Sequence, residues 1–134
     1  MDAKLFWDFE NNEPLVGYDG IVDLFGEPIA EYTLGTWQGE YVYIIRDHDA
    51  PDYFAYLSLS FGSCALCDFL QGCDSVNELS DYIDSINPQW QSGANLADWL
   101  VSHDWNGDYM GYEIRRERER WDKFILSAVS ILLG

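Results

Sequence analysis

The sequence predicts an α+β fold: an antiparallel sheet of three to four strands laid down early in the chain, with helices packed on one of its faces. Three observations carry that prediction. Residues 31–61 hold three short runs rich in aromatic and β-compatible residues, separated by turn signals. Beyond residue 62 the apolar residues recur at helical spacing, and Ser75 opens a capping signature. Hydrophobic residues make up 48% of the 134 and aromatics 16%, enough for one domain spanning 1–134 to build its own core.

Residues 1–17 form a polar, aromatic-bearing lead-in that ends at Pro14 and Gly17. A short helix is expected over 18–25, with Ile21, Val22, Leu24 and Phe25 on its apolar side and Gly26 and Pro28 stopping it. Runs 31–37 and 40–46 flank Gln38-Gly39, which reads as a hairpin turn. A second turn at 47–52, punctuated by Pro51, leads to a third strand over 53–61 and completes a meander. Gly62-Ser63 is expected to end the sheet and open a short helix that contains Cys64 and Cys67 and closes at Gly72.

Ser75-Val76-Asn77-Glu78 reads as a capping box: the Ser75 hydroxyl takes the Glu78 N–H while the carboxylate returns to the Ser75 N–H. Its helix should run to about Ile86, with Val76, Leu79, Tyr82, Ile83 and Ile86 on one face. A short extended piece at 88–91 precedes a helix over 92–103 that buries Leu96, Trp99 and Leu100. After breaks at Gly107 and Gly111, a last helix over 113–133 turns Ile114, Trp121, Phe124, Ile125, Val129 and Leu132 inward. Its run Arg115 to Arg120 reads as a solvated face with modest ion pairing.

Charge points beyond the fold. There are 24 acids against 7 Lys and Arg, a formal net charge of -17. Five of the bases (Arg115, Arg116, Arg118, Arg120, Lys123) sit in one C-terminal segment, which leaves Lys4 and Arg46 to face 21 acids in residues 1–114. Such a field repels nucleic acid and anionic membranes and attracts basic protein surfaces. The expected partner is a basic nucleic-acid-binding protein, with no direct nucleic-acid or membrane contact. Solubility is the competing explanation of the charge. No apolar run reaches the roughly 20 residues of a membrane span. The opening Met1–Asp8 lacks the features of a signal peptide, so a cytoplasmic protein is expected. In that compartment an odd set of three cysteines argues against a disulfide framework.

The chemically loaded stretch is residues 62–74, with Cys64, Cys67 and Cys73. Cys64 and Cys67 are three apart, a spacing that places two thiolates on adjacent corners of a tetrahedral zinc site. Cys73 becomes the third ligand if Gly72 turns the chain back, and His103 is the first choice for the fourth. His48, Asp68 and Asp104 stand in reserve. The expected zinc is structural, since a closed cysteine-rich site leaves no open position for water. Two alternatives stay open: a thiol–disulfide pair with Cys64 as nucleophile and Cys67 as resolving thiol, or small cysteines that simply pack. No phosphate-binding, dinucleotide, zinc-protease or nucleophile-elbow motif is present, and no catalytic residue is assigned. The six Trp read mainly as core, with one or two exposed ones available as interface anchors.

The run Phe61-Gly62-Ser63-Cys64-Ala65-Leu66-Cys67-Asp68-Phe69-Leu70-Gln71, entered from an aromatic strand, resembles a group of small acidic proteins encoded by bacteriophages and prophages. Thr36-Trp37-Gln38-Gly39-Glu40-Tyr41-Val42 and His103-Asp104-Trp105 share that likeness, which covers most of residues 20–110. An acidic phage protein with a metal-binding cysteine pair is also similar to anti-CRISPR proteins, including zinc-containing inhibitors of type II effector nucleases. The resemblance implies Cys64 and Cys67 as metal ligands and a non-enzymatic inhibitor in the host cytoplasm. Its acidic surface would act as a DNA mimic, or beside the DNA channel, and block target-DNA loading on a CRISPR effector nuclease. A small thiol oxidoreductase, or a phage protein of structural or regulatory role, is the alternative.

Overall fold

The structure, a computed structural model, describes residues 3–134. Its centre is an antiparallel sheet of β3 (Gly26–Gly35), β4 (Gly39–Asp47), β5 (Tyr53–Phe61) and the short β6 (Gln91–Ser92), in that spatial order. The meander and its third strand match the sequence reading, and β3 starts earlier than expected. The helix α1 (Tyr18–Phe25) passes straight into it at Gly26. A Cβ at Gly26 would lie 2.4 Å from the Arg46 carbonyl oxygen, so only glycine lets the chain leave the helix this close to β4. At the other end, residues 36–38 form the hairpin connection, with Gly35 in left-handed backbone at φ 91°.

The polar lead-in is more ordered than its composition suggests. A 3-10 turn over Ala3–Phe6 precedes a two-stranded ribbon of β1 (Trp7–Asp8) and β2 (Glu13–Pro14). After the sheet come α2 (Phe69–Gly72), α3 (Val76–Ser85), α4 (Gly93–Ser102), α5 (Gly111–Arg116) and α6 (Arg118–Leu133). The Ser75 cap forms, accepting the Glu78 N–H at 3.1 Å. The returning carboxylate reaches the Asp74 N–H at 3.4 Å rather than that of Ser75.

Alternation along β4 serves both faces of the sheet. Val42 and Ile44 join Leu34, Leu96, Leu100 and Trp121 in a cluster beneath α4, α5 and α6. Tyr43 and Ile45 join Val22, Ala55, Leu57 and Leu59, with Ile86 and Trp90 packed against them. A third cluster ties Ala3 and Trp7 to Ile21, Cys73, Leu79 and Ile83. Each fully buried aliphatic side chain contributes about 1.5–3 kcal/mol relative to exposure. Among the described residues, no helix is long and apolar enough to cross a membrane.

The expected last helix is two helices, broken at Glu117. Its carboxylate accepts the Tyr32 hydroxyl at 2.6 Å and the Gly35 N–H at 2.8 Å, tying the helical layer to the end of β3. Replacing Glu117 with Ala leaves both donors short of a partner and should cost about 1–3 kcal/mol in urea-unfolding stability. The same change at exposed Glu119 should stay within about 0.5 kcal/mol.

Candidate functional site

The sequence motif folds into a tight loop between β5 and α2. Residues 63–67 form bends and turns rather than the first turn of a helix. Helical backbone begins only at α2, because the Asp68 side chain caps it by accepting the Gln71 N–H at 3.2 Å. The Cys67 N–H donates to the Cys64 carbonyl at 3.1 Å, which closes a turn. That turn brings the two Cα atoms to 5.3 Å, and Cys64 and Cys67 are joined as a disulfide. This disulfide departs from the expectation set by compartment and an odd cysteine count, because the turn places the pair within bonding reach.

The loop fits between two glycines. A Cβ at Gly62 would come within 2.4 Å of the Cys67 carbonyl oxygen, and one at Gly72 within 2.2 Å of the Ala65 carbonyl oxygen. Cys64 is exposed, Cys67 half-buried, and Leu66 between them is 100% exposed. Beneath the loop sits the buried Asp68. Besides capping α2, it accepts the Gly62 N–H at 3.0 Å and the Tyr18 hydroxyl at 2.7 Å. Burial works against its charge, but the Gly62, Tyr18 and Gln71 donors outweigh it and hold the carboxyl below the usual Asp value. Tyr18 is pushed up by its own burial and by the bond to Asp68, so its hydroxyl stays a donor.

The other expected metal ligands lie elsewhere. Cys73 is a free, buried thiol in the cluster with Trp7, Ile21 and Leu79, donating to the Ser75 carbonyl at 3.6 Å. Burial pushes that thiol up, away from the thiolate a metal requires. His103 ends α4, its ring against Trp99 and Trp105, with Nε2 3.0 Å from Asp108 Oδ2. Of the reserves, His48 meets the Asp23 carbonyl at 2.8 Å and Asp104 caps the Trp105–Gly107 turn. Of the four expected ligands the structure joins Cys64 and Cys67 alone. No group of three or more His, Cys, Asp or Glu side chains suited to a metal gathers among the described residues. In this arrangement the donor set does not fit a closed tetrahedral zinc site.

The charge pattern is the second feature of the surface. Glu40 and Asp68 are the buried charged residues and the Glu117 side chain is only 9% exposed, while most of the other described carboxylates reach solvent. The bases are drawn into local pairs: Arg46 with Glu27, Arg116 with Glu113, Arg118 with Asp122, Arg120 with Glu117 and Lys123 with Glu119. Arg115 reaches the Asn106 carbonyl. Of the Trp residues, Trp37 stands 78% exposed at the β3–β4 connection, while Trp7, Trp105 and Trp121 are buried. Glu40 is the residue that sequence reasoning missed. The signal was its place in a strand register opposite Ser60, with Ser58 two residues before it on the same side of β5.

Geometry thus defines an acidic α+β protein with a disulfide-closed surface loop. Comparison with protein-family profiles, with curated proteins and with solved structures finds no match.

Two outcomes test the loop. Without reductant, a thiol reagent should label the unfolded chain once, at Cys73, and leave the folded protein unlabelled. After full mild reduction of the pair, the exposed Cys64 should be alkylated faster than the half-buried Cys67. Acid tests the latch: because Asp68 is depressed in the folded state, its stabilisation is complete above the ordinary Asp value near about 4 and disappears as pH falls through the lower folded value. The stability gap between the parent and Asp68→Asn should therefore narrow as urea titrations move from about pH 5 to about pH 2.

Proposed function

We propose that this chain is a non-enzymatic binding protein that engages the basic surface of a nucleic-acid-handling protein and keeps nucleic acid from loading onto it. The observation that carries this reading is the division of charge: carboxylates are displayed across the surface while the arginines and Lys123 are occupied in local contacts. A surface of that kind presents to a Lys/Arg-lined channel what a phosphate backbone presents, and it speeds encounter with such a channel. Exposed Trp37, Tyr109 and Tyr112 supply aromatic area of the type that holds an interface once formed. The likeness of residues 61–71 to small acidic phage proteins narrows the proposal to an anti-CRISPR inhibitor of a guide-loaded type II nuclease in the host cytoplasm.

One observation favours a second reading. The Cys64–Cys67 disulfide has its first cysteine exposed, as thiol–disulfide exchange requires. A substrate thiolate would attack Cys64 Sγ and release the Cys67 thiolate. A second substrate thiolate would then attack the substrate sulfur of the mixed disulfide and release Cys64, so two electrons pass from a substrate dithiol to the pair. Zinc on the same two sulfurs requires that they first be reduced, and the two states exclude each other.

Target-DNA binding by a guide-loaded type II nuclease, measured with and without this protein, tests the first reading. Near-stoichiometric protein should abolish DNA loading, and its association rate should fall about tenfold or more between about 50 and 500 mM salt. Unchanged DNA binding across several such nucleases overturns the nuclease-specific form. Salt-independent inhibition overturns the electrostatic one.

A further inference from the structure

Glu40 has an unusual position for a charged residue. It opens β4 beside Gly39, is only 6% exposed, and accepts the Ser58 and Ser60 hydroxyls, each at 2.8 Å. Neutral hydroxyls satisfy hydrogen-bonding capacity without cancelling charge, so the carboxylate remains a net negative centre beneath the surface. It lines a cavity of about 310 Å³ whose wall also includes Tyr56, Asp108, Tyr109 and Met110. No basic side chain lines that cavity among the described residues. A second hollow of about 360 Å³ shares Tyr56 and Asp108 with it and continues toward Trp99 and His103.

Each wall carries a distinct chemistry. Asp108 is held at the cavity by His103 on one oxygen and by the Met110 N–H, at 3.3 Å, on the other. Tyr56 is half-buried, and its phenol is pushed up by burial and by the charges of Asp108 and Glu40, with the Ser58 hydrogen bond opposing. Tyr109 stands 82% exposed at the rim, next in sequence to Asp108. Fixed negative charge, aromatic faces and hydroxyl oxygens in one small cavity are complementary to a flat, weakly hydrated cation. A divalent metal is a poorer fit, since the described residues hold no gathered group of metal ligands.

We propose that the Glu40–Asp108 cavity receives an arginine side chain of a protein partner, with the guanidinium bonded to the two carboxylates and stacked on the Tyr56 and Tyr109 rings. Arginine is preferred to lysine because its planar fork serves two carboxylates and two aromatic faces at once, whereas an ammonium is a compact point charge that loses more hydration. The inference rests on reading this chain as a binder of basic protein surfaces, and it names the contact that would give such binding direction. Diffuse surface acids attract any cation, while a buried carboxylate in a shaped cavity selects one side chain.

The test uses the full chain and Nα-acetyl-arginine N-methylamide as the probe, followed by two-dimensional amide NMR. Saturable shifts should centre on Glu40, Tyr56, Ser58, Ser60 and residues 108–110. The matching lysine amide should bind about tenfold more weakly, as expected for loss of a bidentate, stacked contact. Glu40→Gln should weaken the arginine probe by about tenfold or more. Because that change also touches Ser58 and Ser60, Tyr109→Ala at the rim is the second variant; it should weaken the probe about threefold or more while leaving the fold intact. Non-saturating shifts spread over exposed acids, an equal response to lysine, or unchanged affinity in both variants overturns the proposal. Saturable binding in the cavity without any effect on nuclease loading removes the nuclease reading and keeps the arginine cavity. Inhibition of loading with no cavity shifts does the reverse.

Discussion

The structure depends on β4 being buried on both faces. A central strand with Val42 and Ile44 on one side and Tyr43 and Ile45 on the other has no surface of its own to offer solvent. Two helical layers must therefore cover it: α4, α5 and α6 beneath, α1 and the stretch around Ile86 and Trp90 above. Charge is correspondingly excluded from the middle of β4 and appears only towards its ends, at Glu40, Arg46 and Asp47. The acids that fill the rest of the sequence are pushed to the periphery by the same constraint that forms the core.

A chain so poor in bases must settle its buried carboxylates by other means. It does so with hydroxyls and backbone N–H groups. Asp68 is held by Tyr18 and two amides, Glu40 by Ser58 and Ser60, and Glu117 by Tyr32 and an amide beside Arg120; the exposed Asp19 accepts the Tyr43 hydroxyl in the same way. The phenols involved shift upward; Tyr32, through burial and then its bond to Glu117, is pushed up to about 12. They stay protonated donors across the range in which the carboxylates are ionised. Such bonds stabilise each site without placing an opposite charge beside it. At Glu40 and Asp68, where a salt bridge would have cancelled charge locally, the partners are hydroxyls and amides and the local charge is retained.

The same distinction explains what could be read from the sequence. Tyr53–Phe61, the Ser75 cap and the helix Tyr18–Phe25 were legible because period, cap and stop signal are local. The break at Glu117 was not, because its cause is a pair of bonds to Tyr32 and Gly35, more than 80 residues away. The cysteine spacing was legible and its chemistry was not. Cys64 and Cys67 are three positions apart on a helix or in a turn alike, and the choice fell to Asp68, which starts α2 after the pair. Cys73 and His103 could be matched to that pair by residue type alone, but they pack into separate apolar clusters. Glu40 escaped notice because a lone Glu in a strand resembles every other surface acid until the register sets two serines against it.

Burial is what separates the acids into kinds. An exposed carboxylate such as Asp49 or Asp52 adds to the long-range field, and salt screens it within about 10 Å at ordinary ionic strength. Glu40 contributes to that field too, but in surroundings from which most water is excluded its attraction for a cation at contact distance is larger and less screened. The two kinds would act in sequence: surface acids gather a basic partner from a distance, and a buried one rewards the single side chain that can enter. At Glu40 hydroxyls rather than a cation of the chain answer the carboxylate, an arrangement that would keep the proposed second step open by leaving that charge for a partner to satisfy.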